Sequence, residues 1–210
     1  MLFFDLDGTI HDVGKYRVYG ELERNIFTYI ADRLGVTYDR ARHLSENFQK
    51  AYGSTVAGLR VEHDMDPTCF LDAVYRVDFS SVLPDRRLFT LLSKNRKKKI
   101  VFTNATRAYT EELLDRIGIL RCFDGIFDIY DCNFASKPQP DAFLSLFKKF
   151  EIDDPSETTL VDDRTYNLRS ASAFGMRTIL CSSVTPDSWP VQFDDIYSIV
   201  EHLNRDGIRR

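Results

Sequence analysis

A chain of 210 residues is long enough to bury a continuous core, and its 43% hydrophobic and 29% charged content is that of a globular domain. The net charge of −4 argues against a general nucleic-acid binder, and no run approaches the roughly 18 to 20 apolar residues that a membrane helix needs. The apolar start is broken by Asp5 and Asp7 with no basic leader, and Cys69, Cys122, Cys132 and Cys181 form no C-x-x-C pair, so a cytoplasmic protein without disulfides is expected.

In chain order, Leu2-Phe3-Phe4 predicts a short buried strand, followed at once by Asp5-Leu6-Asp7-Gly8-Thr9. Such a strand delivers its carboxylates to its C-terminal end, the edge where open α/β sheets bind ligands. Two acids so close, with no local base, repel each other unless a cation joins them, which implies a divalent metal. Read as a plain turn, the same residues use Gly8 for the bend and Thr9 as a cap.

From Ile10 to Leu83 no segment reads as a strand. Leu22, Ile26, Tyr29, Ile30 and Leu34 mark a helical stripe closed by Gly35; a second helix is expected over 38–52, and a third begins at Asp66-Pro67 with a capping acid and a first-turn proline. This predicts a helical cap over 14–81, inserted into a core of 1–13 and 82–210, with crossings near His11 to Gly14 and Ser80 to Pro84. A helical segment then leads into the basic run Lys94 to Lys99, which reads as a solvated turn.

Beyond Lys99 the pattern alternates. Strands are expected at 100–102, about 125–129, 159–161 and 177–181, with helices over 107–117, 140–150, 165–174 (closed by Gly175) and 195–203. Strands separated by helices of this length imply parallel pairing. The fold class is therefore α/β, a Rossmann-like parallel sheet core with an inserted all-helical cap.

Three groups after the Asp5 strand suit phosphate chemistry. Thr103 ends the strand at 100–102, where it can cap a helix or, with the N–H of Asn104, grip a phosphate oxygen. Lys137, before Pro138, is either an ordinary surface lysine or a charge neutraliser for phosphate and carboxylate. Asp162-Asp163 end a buried strand, where adjacent acids are costly unless a cation meets them. Magnesium, which prefers one or two carboxylates plus waters and phosphate oxygens, fits this set.

Asp5-Leu6-Asp7-Gly8-Thr9, Phe102-Thr103-Asn104, Lys137-Pro138 and Val161-Asp162-Asp163 together resemble the four ordered motifs of the haloacid dehalogenase-like phosphatase superfamily. Within the cap, Tyr52-Gly53-Ser54-Thr55-Val56-Ala57-Gly58-Leu59 is similar to a signature of the pyrimidine 5′-nucleotidase subfamily, and Phe123-Asp124-Gly125-Ile126-Phe127 is similar to that group as well. Two glycines and two small hydroxyl residues also make an ordinary turn. His11 stands where that subfamily often carries tyrosine, and Tyr75-Arg76-Val77-Asp78 lacks a histidine that some members have.

The resemblance implies Asp5 as nucleophile, Asp7 as general acid and base, and catalytic support from Thr103 and Lys137. It implies Mg2+ held among Asp5, Leu6 through its carbonyl, Asp7, Asp162 and Asp163. Substrate contacts are expected from Asn104, Tyr52, Gly53, Thr55 and Gly58. The expected activity is hydrolysis of nucleoside 5′-monophosphates such as UMP and CMP through an aspartyl-phosphate. Alternatives on the same fold are a sugar-phosphate or phosphoglycolate phosphatase, a mutase, or a non-catalytic regulatory scaffold. The expected partner is a small phosphate monoester, with no nucleic-acid polymer and no membrane.

Overall fold

The structure, a computed structural model, describes residues 1–183 and 189–206. Its sheet has six parallel strands in the order β3-β2-β1-β4-β5-β6, formed by β1 (Leu2–Phe4), β2 (Lys99–Phe102), β3 (Gly125–Phe127), β4 (Thr159–Asp162), β5 (Arg177–Cys181) and β6 (Gln192–Phe193). Strand side chains alternate between faces. Leu2, Phe4, Val101 and Val161 enter one core cluster with residues of α5 (Arg86–Lys94), α6 (Arg107–Ile117) and α9 (Ile196–Asp206). Phe3, Ile100, Phe102 and Leu160 enter the other, with α7 (Pro140–Phe150) and α8 (Thr165–Ala173).

Between β1 and α5 lie only helices: α1 (Val18–Leu34), α2 (Tyr38–Tyr52), α3 (Thr55–His63) and α4 (Pro67–Val74). α1 packs on α2 and α4, and α2 packs on α3. Gly35 closes α1 at φ 63°, a left-handed position that glycine adopts without strain. The two crossings, from β1 into α1 and from α4 into α5, are joined where the Tyr16 hydroxyl donates to the Leu83 carbonyl (3.3 Å). Among the described residues no helix is long and apolar enough to cross a membrane.

Two expectations need correction. Thr55–His63, readable as a turn, is a helix whose N-cap Ser54 accepts the Ala57 N–H. Lys99 does not belong to a solvated turn: it opens β2 and is 6% exposed. Its ammonium folds back to donate to the carbonyls of Asn95 (2.7 Å) and Lys97 (3.0 Å), which satisfies a buried charge without an acid.

Asp85 caps α5 through the Leu88 N–H (2.8 Å) and also takes the Tyr197 hydroxyl from α9. Burial pushes its carboxyl up, but these two donors and the nearby Lys15 ammonium outweigh it and hold the pKa below 3.8. A depressed folded-state pKa stabilises above the unfolded value and is lost as pH falls through the folded one. Asp85→Ala is therefore expected to cost about 1 kcal/mol at pH 7, within the range for a lost cap, and progressively less below about pH 4. Urea denaturation of both proteins across pH 7 to 3 reads this difference directly.

Candidate active site

β1, β2 and β4 are neighbours, and the order of the sheet reverses between β1 and β4, the place where doubly wound sheets open a crevice at their C-terminal edge. Asp5 leaves β1 there, Thr103 leaves β2, and Asp162-Asp163 end β4. Carboxylate oxygens of Asp5, Asp162 and Asp163 lie within 4.8 Å of one another. Lys137, on the loop between β3 and α7, is 1% exposed and donates to Asp5 (2.7 Å) and Asp162 (2.7 Å) while its ammonium sits 4.9 Å from the centre of the Phe102 ring.

Burial pushes the Asp5 carboxyl well above its usual range despite Lys137, and the charges of Asp162 and Asp163 push the same way. Asp163 is raised to about 6 by burial and by Asp162, against the Arg164 guanidinium 3.0 Å away. Burial opposes the Lys137 ammonium, but Asp162 and Asp5 outweigh it and raise its pKa. Lys137 thus meets two of the three close carboxylates and Arg164 the third, which leaves the group one negative charge in excess when all three acids are ionised. A hard divalent cation held by oxygen donors fits that surplus of negative charge, and Asp5 and Asp163 are the members best placed to hold it. Asp162 is already occupied: besides Lys137 it accepts the Arg164 N–H and the Asn167 side-chain amide.

Leu6 and Asp7 stand outside this group. The Leu6 carbonyl accepts the N–H groups of Thr9 (3.3 Å) and His11 (2.8 Å). Asp7 Oδ1 accepts from His11 Nδ1 (2.8 Å) and from the Tyr109 hydroxyl (2.9 Å). The loop needs Gly8: its φ is +92°, and a Cβ there would lie 2.5 Å from Asp163 Oδ2.

The Asn104 side chain clamps the Lys137 backbone, accepting its N–H (2.8 Å) and donating to its carbonyl (3.0 Å). It is a positioning group for the lysine, and any grip on phosphate falls to its own N–H. Thr103 Oγ1 accepts the Ala105 N–H (3.0 Å).

A cavity of about 170 Å3 opens between this edge and the inserted helices, lined on the sheet side by Asp5, Asp7, Thr103, Asn104 and Asp163. Gly53 and Thr55 line it; Tyr52 and Gly58 do not. Gly58 serves packing, since a Cβ there would fall 2.3 Å from Phe48 Cγ. Tyr52 instead hydrogen-bonds Glu62, which raises its phenol pKa, and its carbonyl accepts Gln139 Nε2 (3.0 Å). Gly53 permits close approach of the 52–54 loop to the Lys137 loop, a Cβ there lying 2.6 Å from Pro138 Cδ; Ser136 also donates to Ser54 (2.7 Å).

The residues that sequence reasoning missed are mainly tyrosines. Tyr19 and Tyr75 line the cavity from the inserted helices. Burial and then the Asp7 charge push the Tyr19 phenol up to about 12, so it stays a donor. Asn167, in the first turn of α8 and five residues past Asp162, donates its side-chain amide to both oxygens of that acid (2.9 and 3.0 Å).

A model of the haloacid dehalogenase-like hydrolases matches residues 1–175. The chain belongs to that family. It is 27% identical over 197 residues to Phosphate metabolism protein 8 of Saccharomyces cerevisiae, an alignment covering 86% of this chain. The chain spans only 60% of that protein's length. Among solved structures it resembles a haloacid dehalogenase-like phosphatase from Thermococcus onnurineus (TM-score 0.61, 18% identity, 96% of each chain). It also resembles the L-2-haloacid dehalogenase of Xanthobacter autotrophicus (TM-score 0.59, 12% identity, 97% of this chain and 98% of that one). These two likenesses bear on the fold alone.

Proposed function

We propose that this enzyme is a magnesium-dependent phosphatase of small phosphate monoesters, with nucleoside 5′-monophosphates as its substrates and UMP and CMP foremost. The observation that carries the reading is the buried Asp5–Lys137–Asp162 triad with Asp163 beside it, opening on a cavity that Asp7 also lines. In this reading Asp5 attacks phosphorus in line, its Oδ forming the new P–O bond as the bond to the leaving oxygen breaks. Asp7 gives that oxygen a proton and later takes one from the water that hydrolyses the aspartyl-phosphate. Lys137 and the N–H of Asn104 meet charge on the phosphoryl oxygens. The metal, held by Asp5 and Asp163, would add electrostatic stabilisation of that same charge.

We assign residues 14–81 as a cap that selects the leaving group, and 1–13 with 82–210 as the catalytic core; 184–188 and 207–210 lie outside the described residues. The cap side of the cavity supports a nucleoside over a bare sugar. Leu22, Ile26, Val56 and Phe70 form an apolar wall suited to a flat base, while Gln49 and Thr55 supply polar edges.

The experiment is phosphate release across nucleoside monophosphates, ribose 5-phosphate and phosphoglycolate, with and without Mg2+. Selective, EDTA-sensitive turnover of UMP and CMP is expected. Preference for a sugar phosphate or phosphoglycolate would overturn the nucleotide assignment, and equal turnover in EDTA would overturn the metal requirement.

A further inference from the structure

We propose that His11 and Tyr109 are positioning residues for Asp7, engaging one carboxylate oxygen so that the other, Oδ2, is presented to the leaving group. The inference rests on the phosphatase reading above. Both donors converge on Oδ1, His11 Nδ1 at 2.8 Å and the Tyr109 hydroxyl at 2.9 Å, and among the described residues no hydrogen bond reaches Oδ2. A carboxyl held at one oxygen keeps its rotamer, and its remaining oxygen carries the transferable proton.

The two donors are themselves fixed. The His11 N–H donates to the Leu6 carbonyl and its own carbonyl accepts the Gly8 N–H, both at 2.8 Å, so the imidazole is tied to the loop that carries Asp7. Its ring stacks on Tyr16 (centroids 5.8 Å apart, 12° between planes). Tyr109 comes from α6 and packs between Tyr75 (5.0 Å) and Phe79 (5.6 Å). Burial, and then the Asp7 charge, raise its phenol pKa and keep it a donor.

His11 has a further property that a packing role does not explain. It is 1% exposed, and its Nε2 is buried with no partner. Leaving a buried polar atom unsatisfied costs free energy, whereas an aromatic hydrocarbon would stack on Tyr16 without that cost. Among the described residues the only side-chain hydrogen bond His11 makes is the one to Asp7. Nδ1 faces the same carboxylate oxygen that accepts the Tyr109 hydroxyl, so it meets that oxygen as a donor, and Nε2 has no partner among the described residues to which a proton could pass. His11 therefore orients Asp7.

The test separates leaving groups. A nucleoside 5′-alkoxide or sugar alkoxide needs a proton as it departs, whereas nitrophenolate leaves without one, and kcat/KM reports only the steps through leaving-group departure. His11→Phe and, independently, Tyr109→Phe are expected to lower kcat/KM for uridine 5′-monophosphate and ribose 5-phosphate at least about tenfold. For p-nitrophenyl phosphate kcat/KM is expected to stay within about threefold of wild type. His11→Asn, whose side-chain N–H falls where Nδ1 was, is expected to restore the alkyl substrates. A parallel fall for both leaving groups in the two variants, no fall in either, or no rescue by His11→Asn would overturn the assignment. Failure of the phosphatase reading looks different, because the wild-type enzyme would then release phosphate from none of the three and the assignment would fall with it.

Discussion

Asp5→Asn is expected to lower kcat for the preferred monoester about a thousandfold or more with the fold intact. The carboxylate is the only oxygen nucleophile that β1 delivers to the three-acid cluster, and an amide in its place neither attacks phosphorus nor forms an acyl phosphate. The carboxamide oxygen still accepts the Lys137 hydrogen bond, and Asp162 still pairs with that ammonium, so the buried lysine keeps its compensation. Loss of turnover with an unchanged thermal unfolding profile is the expected pair of results. Residual activity within tenfold of wild type would remove Asp5 as the nucleophile.

Lys137→Met is expected to strike both stability and activity. The ammonium is almost wholly buried, and its removal leaves Asp5 and Asp162 facing each other with no cation between them. Breaking a buried ion pair by deleting one partner costs about 3–5 kcal/mol, a large part of the stability of a domain this size. A second substitution tests the cause. Asp162→Asn in the Lys137→Met background removes one of the opposed charges and is expected to recover part of the stability without recovering turnover, which urea denaturation and phosphate release read separately. If the double variant is no more stable than the single one, charge imbalance is not the origin of the loss.

Much of the fold was legible because the sheet is parallel and buried on both faces. Leu2-Phe3-Phe4, Ile100-Val101-Phe102 and Thr159-Leu160-Val161 are short, wholly apolar or nearly so, and each ends in a polar residue at the same edge. The expected α/β class with a Rossmann-like sheet and inserted helices is what the structure contains. α3 escaped because Gly53, Ser54, Thr55 and Gly58 look like turn residues. In the folded chain Ser54 caps the helix and Gly58 lets Phe48 approach it, roles that depend on α2 lying alongside. Lys99 was misread for a related reason: its partners are carbonyls of its own loop, which carry no sequence signal.

At the site, the acids and Lys137 could be named from spacing, but their supporting contacts could not. Tyr109 sits at core spacing on α6, and only the fold reveals that its hydroxyl reaches an acid 102 residues away. His11 stands out in the sequence only as a departure from the subfamily pattern, because its partner is an acid already assigned to other work. Asn104 is the converse case: adjacency to Thr103 suggested substrate, whereas its side chain spans to the Lys137 loop.

The most direct test of the central claim is to quench the Mg2+-loaded enzyme in acid while it turns over a substrate carrying radiolabelled phosphate, and to map the label on the protein. The account predicts label on the peptide that carries Asp5, absent in Asp5→Asn. Turnover with no protein-bound label, or label on a peptide lacking Asp5, would contradict it.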